Sequence, residues 1–208
     1  EKYRGKRGRV IPLKLLSPRL RDKAGNSLWF IPMVKPVSFP GQMHFIDPWL
    51  LGVLLGDGGL SRDMVMLTNI DEELLQGVRE LLPTGVRLKQ YSEKITYGIT
   101  TKRGQPNPLL SALQRMGLMG HKTDTKFIPK EYLFDSIENR LSLLQGLCDT
   151  DGYVEKGTNN TEIITISPQL RDGIIFLIRS LGGTAACNYK DTGFAPAWRI
   201  HFSLPRQY

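Results

Sequence analysis

Two aspartates, Asp57 and Asp151, stand at matching places in two stretches written to one plan, Leu50-Leu51-Gly52-Val53-Leu54-Leu55-Gly56-Asp57-Gly58 and Leu144-Gln145-Gly146-Leu147-Cys148-Asp149-Thr150-Asp151-Gly152. Each reads as an apolar helix that closes on a carboxylate and then glycine, a residue that commonly stops helices. Gly52 and Gly56 lie four apart in the first copy, and Gly146 and Thr150 take the same places in the second. Small residues therefore line one side of each helix, and two such helices can pack with their backbones almost touching. That packing sets Asp57 and Asp151 side by side. Two carboxylates so close repel unless a divalent cation or a shared proton intervenes. A cation held there can polarise a phosphoryl oxygen, activate a water and stabilise a leaving oxygen, which is what phosphodiester hydrolysis requires. Mg²⁺ or Mn²⁺ fits this oxygen-donor set, whereas three scattered histidines and two cysteines without ligand spacing argue against zinc.

The duplicated pattern resembles the signature of LAGLIDADG (DOD-type) homing endonucleases, whose paired helices form a pseudo-twofold interface and whose final acids hold the catalytic metal ions. The first copy carries Leu55 where the signature has its first Asp, while the second keeps both as Asp149 and Asp151. The metal role therefore falls to the last acid of each copy. By the same resemblance, Gly56 and Thr150 would lend backbone carbonyls to the metal. Lys126, just before Phe127-Ile128-Pro129, resembles the lysine-containing block between the two signatures of intein endonucleases. Its implied role is electrostatic stabilisation of transition-state charge.

A closer resemblance is to the endonuclease portion of an intein, carried by Ile31-Pro32-Met33-Val34-Lys35-Pro36-Val37 and Ile46-Asp47-Pro48-Trp49-Leu50-Leu51-Gly52 and covering roughly residues 30 to 203. Self-splicing needs Cys or Ser at the first position and His-Asn at the last, but Glu1 and Gln207-Tyr208 stand there. Splicing blocks are thus expected outside this segment, or the chain is a freestanding descendant. The implied activity is site-specific cleavage of double-stranded DNA. A DNA-binding module or RNA maturase that has lost cleavage, or an intein spacer, is the alternative, and the retained acids weigh against the module.

Elements that must position these residues follow from caps and periodicity. Asp47-Pro48 opens the first signature helix, since Asp supplies an N-cap oxygen and Pro fits the first helical position. A strand follows around Met64 to Thr68, then a helix through about Leu82 with Asn69 and Glu72 as its capping box. Strands around Val86 to Tyr91 and Ile95 to Thr101 lead to a helix opened by Asn107-Pro108. Leu109, Leu110, Leu113, Met116 and Leu118 form its core stripe. The second half repeats the plan with a signature helix from about Asn139, a strand over 161 to 167, a helix from Ser167-Pro168 to Gly182-Gly183, and strands around 185 to 189 and 198 to 203. The expected fold is α+β: two pseudo-symmetric αββαββα half-domains with saddle-shaped antiparallel sheets and paired signature helices. The two acids lie 94 residues apart, an interval that suits a duplicated half-domain. The division is a basic lead-in over 1–46 and halves over 47–135 and 136–208. At that interval a counterpart of Lys126 would fall beyond Tyr208, so the second half reads as truncated.

Composition adds a polyanionic partner. Net charge is +8, and residues 1–23 carry +7 of it. Arg4, Lys6, Arg7 and Arg9 make this arm a candidate DNA contact. On strands and turns, Arg62, Arg87, Lys89, Lys94, Tyr97, Lys102, Arg103, Lys156, Lys190, Arg199 and His201 alternate with apolar neighbours, as expected of sheets with one buried and one DNA-facing side. Neither a membrane-spanning run nor a signal region is legible, so a monomeric intracellular protein, prokaryotic or phage, acting on a double-stranded target is expected. Leu28-Trp29-Phe30-Ile31-Pro32-Met33-Val34 is apolar enough for a short strand. Cys148 and Cys187 have no framework spacing, and no disulfide is inferred. Removing residues 1–23 is expected to flatten the dependence of log K on log salt by about 0.9 per lost phosphate contact, measured by DNA-binding titrations across salt. An unchanged slope would mean that the arm does not touch DNA.

Overall fold

The structure, a computed structural model, describes residues 8, 10–61, 63–91, 95–154, 161–191, 193, 196–205 and 208. The chain divides into two compact units, 1–34 and 35–208. In the first, a short helix α1 (Leu13–Leu16) precedes a loop closed by an Arg21–Ser27 bridge. There the Asp22 carboxylate accepts from the amides of Ala24 and Asn26, both at 2.9 Å. The strand expected over Leu28 to Val34 does not form. Pro32 interrupts the run and removes an amide that a ladder would use.

The second unit begins with a docked segment. Val37 donates its amide to Ser180 O at 2.8 Å, and Gln42 donates its amide to Asp135 Oδ1, also at 2.8 Å. His44 pairs with the fully buried Asp135 and stacks on Tyr132, whose hydroxyl donates to Ile46 O at 2.8 Å. Arg140, with no exposed surface, donates to Asp135 O and to Val37 O. A buried charge needs such partners, so this group fixes the approach to the first signature helix.

Then come α2 (Pro48–Gly56), β1 (Gly58–Gly59), β2 (Val65–Thr68), α3 (Glu72–Leu81), β3 (Arg87–Gln90), β4 (Thr96–Thr100), α4 (Pro108–Arg115) and α5 (Lys130–Leu133). The second half contains α6 (Ile137–Asp151), β5 (Gly152–Val154), β6 (Thr161–Thr165), α7 (Pro168–Ser180), β7 (Thr184–Asp191) and β8 (Pro196–Ser203). Each half makes a four-stranded antiparallel sheet, in the orders β1-β2-β4-β3 and β5-β6-β8-β7. The two orders are the same pattern, so the sequence repeat is a structural repeat and the α+β expectation holds.

Local chemistry explains the boundaries. Asp47, Asn107 and Ser167 cap α2, α4 and α7 as expected, each with Pro following. Two starts differ. Asp71, not Asn69, caps α3 by accepting from Glu73 and Leu74 amides, and Ser136 rather than Asn139 opens α6. At α3 an oxygen nearer the first free amides wins the cap, and at α6 Ser136 Oγ accepts from the Asn139 amide, starting the helix slightly earlier than expected. β1 and β5, directly behind the signature helices, are not legible in the sequence because two or three residues carry no readable alternation.

The core is centred on α2 and α6. Leu50, Leu51, Val53, Leu54 and Leu55 are buried together with Leu143, Leu144 and Leu147. A helix buried all round has no polar face, which is why α2 is uniformly apolar. At the crossing the backbones meet. A Cβ on Gly52 would run into the Leu143 carbonyl and lie 2.9 Å from the Leu147 nitrogen. One on Gly146 would strike the Trp49 carbonyl and lie 3.0 Å from the Val53 nitrogen. Gly146→Ala is therefore expected to cost about 1–3 kcal/mol or more in urea unfolding, because rigid backbone must give way. Gly41→Ala, whose Cβ would meet only Ser136 Cβ at 3.4 Å, should stay within about 0.5 kcal/mol of the parent.

Candidate functional site

The site is assembled where α2 and α6 end. Asp57 follows the last residue of α2, and Asp151 is the last residue of α6. Four residues on from the Gly52–Gly146 crossing, Gly56 faces Thr150, and a Cβ on Gly56 would lie 2.8 Å from Thr150 Cβ and 3.3 Å from Asp151 Oδ2. The Asp151 carboxylate thus approaches the α2 terminus closely. Thr150 turns its hydroxyl back to Gly146 O and Leu147 O, both at 3.1 Å, and so occupies the small-residue position without adding an unpaired group.

Electrostatics follow from the crowding. Although Asp151 is open to solvent along one side, its carboxyl is pushed up to about 6, first by lost hydration and then by the Asp57 charge, with Lys126 opposing. Lys126 is 2% exposed. Its ammonium donates to Leu55 O at 2.8 Å, Gly56 O at 2.9 Å and Leu54 O at 3.3 Å. All three of its N–H donors therefore have acceptors on the final turn of α2. Burial lowers its pKa to about 8, against the pull of Asp151 and Asp57. A cation at a helix C-terminus also answers the negative end of the helix dipole. Ser167, the cap of α7, donates its hydroxyl to Lys126 O at 2.6 Å and ties the lysine to the second half.

Four contacts lie beyond what the sequence shows. Asn69 Nδ2 donates to Asp57 Oδ2 at 2.6 Å. The residue read as a helix cap instead donates to the carboxylate. Trp49 Nε1 donates across the interface to Asp149 Oδ2 at 2.7 Å, so the extra acid of the second copy is engaged by indole. Glu162 meets both Arg199 at 2.9 Å and His201 at 3.4 Å. Nothing in local sequence pairs residues so far apart. Among the described residues, no group of three or more His, Cys, Asp or Glu converges, and the donors that could hold a cation are the Asp57 and Asp151 carboxylates with nearby carbonyls.

Strand register places the basic residues. Arg87 and Lys89 lie opposite Thr100 and Gly98, and Gly98 lies opposite Met66, on the face away from buried Val65, Leu67 and Ile99. Tyr97 belongs to that buried face, paired with Leu67 and 9% exposed. It is a core residue and not the DNA contact expected, because period two puts it opposite to Lys89's face. In the second sheet, Lys190 pairs with Ala197, which shares a face with Arg199 and His201. Tyr153 and Glu162 join this face through Glu162–His201 pairing. Lys102 and Arg103 are exposed in the turn after β4. Arg4, Lys6, Arg7, Arg9, Arg62, Lys94 and Lys156 lie outside the described residues. Cys148 and Cys187 are thiols, and no described helix is long and apolar enough to cross a membrane.

Several known proteins are similar to parts of this chain. A family profile described as "Homing endonuclease" matches residues 127–196. The homothallic switching endonuclease of Saccharomyces cerevisiae is 28% identical over 159 residues, 66% of this chain and 27% of that protein. An A-type ATP synthase subunit of Pyrococcus abyssi is 29% identical over 81% of this chain and 17% of its own length, and the replicative DNA helicase DnaB of Mycobacterium intracellulare 27% identical over 71% and 21%. The chain thus spans at most 27% of these relatives. Among solved structures, I-DmoI in complex with DNA and Ca shares the fold with a TM-score of 0.52 and 16% identity, over 76% of this chain and 83% of that one.

The buried Lys126 sets a pH test. Because its folded pKa lies below the unfolded value of 10.5, the unfolded chain binds the extra proton between about 8 and 10.5, and Lys126 costs less stability as pH rises. Urea unfolding from pH 7 to 10 should show the stability difference between the parent and Lys126→Met moving in the parent's favour above about 8. A difference that stays flat across this range would mean the ammonium is not desolvated.

Proposed function

Since this chain belongs to the LAGLIDADG homing endonucleases, we propose that it is a site-specific double-strand DNA endonuclease using Mg²⁺ or Mn²⁺ held by Asp57 and Asp151. The observation that carries this reading is the convergence of two carboxylates at the ends of paired helices, one lifted to about 6 by lost hydration and by the other's charge. A divalent cation fits such a pair, because it relieves the repulsion that otherwise favours a retained proton. When bound, it supplies Lewis-acid polarisation of the phosphoryl oxygen and a more acidic water.

The chain's own residues do the rest. Asp57 and Asp151 would hold the cation at the ends of α2 and α6, and so set where a reacting phosphate can be bound. Gly56 and Thr150 are proposed to add backbone carbonyls; Gly56 O already accepts one bond from Lys126 and, as a carbonyl, has a second lone pair. Lys126 holds the last turn of α2 and adds positive charge beside the transition state. Arg87, Lys89, Lys102, Arg103, Lys190, Arg199 and His201, with the arm, are proposed to contact DNA, mostly through phosphates. One chain supplies both halves, 47–135 and 136–208, so a monomer suffices for a two-strand cut.

We further propose that the segment is an intein endonuclease. Relatives named as a translation initiation factor, a replicative helicase and an ATP synthase subunit have no common task, yet each matches over 21% or less of its length. A module carried within unrelated hosts would leave that trace. Action on genomic DNA implies an intracellular location.

Asp57→Asn and Asp151→Asn test the central claim. With a plasmid target selected by the parent from a randomised library, each is expected to lower double-strand cleavage in Mg²⁺ by at least about a hundredfold while DNA affinity changes little. Either variant cleaving like the parent would remove that aspartate from the site.

A further inference from the structure

The two halves hold their acids differently, and the difference lies at one pair of equivalent positions. Asn69 follows β2 and stands two residues before Asp71, the cap of α3; Thr165 ends β6 and stands two residues before Ser167, the cap of α7. Each does the same local job. Asn69 Oδ1 accepts from the Asp71 amide at 2.7 Å, and Thr165 Oγ1 accepts from the Ser167 amide at 3.1 Å. Only Asn69 has a second arm. Its Nδ2 reaches Asp57 Oδ2 at 2.6 Å, whereas threonine spends its one oxygen on the turn and carries no amide. Among the described residues, no side-chain donor meets the Asp151 carboxylate.

We propose that Asn69 is a positioning residue that preorganises Asp57, that the equivalent Thr165 does not do so for Asp151, and that the two DNA strands are therefore cut at unequal rates. This rests on the metal-dependent endonuclease reading above. Asn69 is itself held at three points, by Asp71, by Asp57 and by its amide's bond to Ile95 O at 3.1 Å. The side-chain amide can donate to one carboxylate oxygen of Asp57 and leave the other for a cation, fixing the carboxylate's rotation before the cation arrives. Outer partners of this kind carry about a tenfold or greater effect on metal affinity or activity. At the equivalent place Thr165 has no amide to offer Asp151.

Asn69→Thr separates positioning from folding, because it installs the residue that already makes this turn in the other half. Full-length parent and variant are compared by thermal melting, by Mn²⁺ titration calorimetry without DNA, and by nicking and linearisation of a supercoiled plasmid bearing a target selected by the parent. The parent is expected to accumulate DNA nicked mainly in one strand. The variant should melt within about 2 °C of the parent, bind Mn²⁺ about tenfold more weakly and lose the strand bias through slowing of the faster cut. Parent strands cut at equal rates, or a variant that keeps the parent's Mn²⁺ affinity and bias, would overturn the inference. If Asn69→Thr melts much earlier, Asn69→Ser, which keeps the hydroxyl acceptor without the extra methyl, is read by the same measurements. A parent that neither binds Mn²⁺ nor cuts would overturn the endonuclease reading instead, so the two failures are distinguishable.

Discussion

Everything at the site depends on two helix backbones touching. With hydrogen in place of Cβ at Gly52 and Gly146, each helix rests against a carbonyl of the other, and the axes come closer than ordinary side chains allow. One turn later Gly56 meets Thr150, and the chains then leave the interface as β1 and β5. Close crossing therefore fixes where both terminal carboxylates lie. It also links the sheets, since each begins at the residue directly after its acid.

The same geometry creates an electrostatic problem. Two helix C-termini and two carboxylates converge, and both features are negative. The protein relieves this in parts: Lys126 neutralises the last turn of α2, Trp49 engages Asp149, and Asn69 donates to Asp57. Asp151 keeps a raised pKa, first from lost hydration and then from the Asp57 charge, even with Lys126 opposing. A site left with unspent negative potential suits a cation, which is the physical core of the proposed function.

Symmetry in the fold does not extend to its chemistry. The sheets share strand order and the following helices share a cap two residues beyond a turn-forming side chain, yet only the first half turns that side chain toward its acid. The second sheet places Glu162 between Arg199 and His201, so part of its basic face is internally paired. Duplication keeps what backbone packing demands and leaves polar side chains free to diverge.

Sequence alone determined the helix pair, its acids, the α+β class and the starts of α2, α4 and α7, because these rest on local spacing: glycines four apart, a carboxylate before glycine, an Asp, Asn or Ser before proline. It also singled out Lys126, though not the three carbonyls that Lys126 holds. Tertiary structure decided the rest. Tyr97 reads like an exposed strand residue until register pairs it with buried Leu67, and Asn69 reads as a cap until Asp57 is seen within reach. Which face of a strand is buried, and which distant groups meet, depend on register and helix crossing. Local alternation narrows these choices, but contacts between residues far apart in the chain fix them.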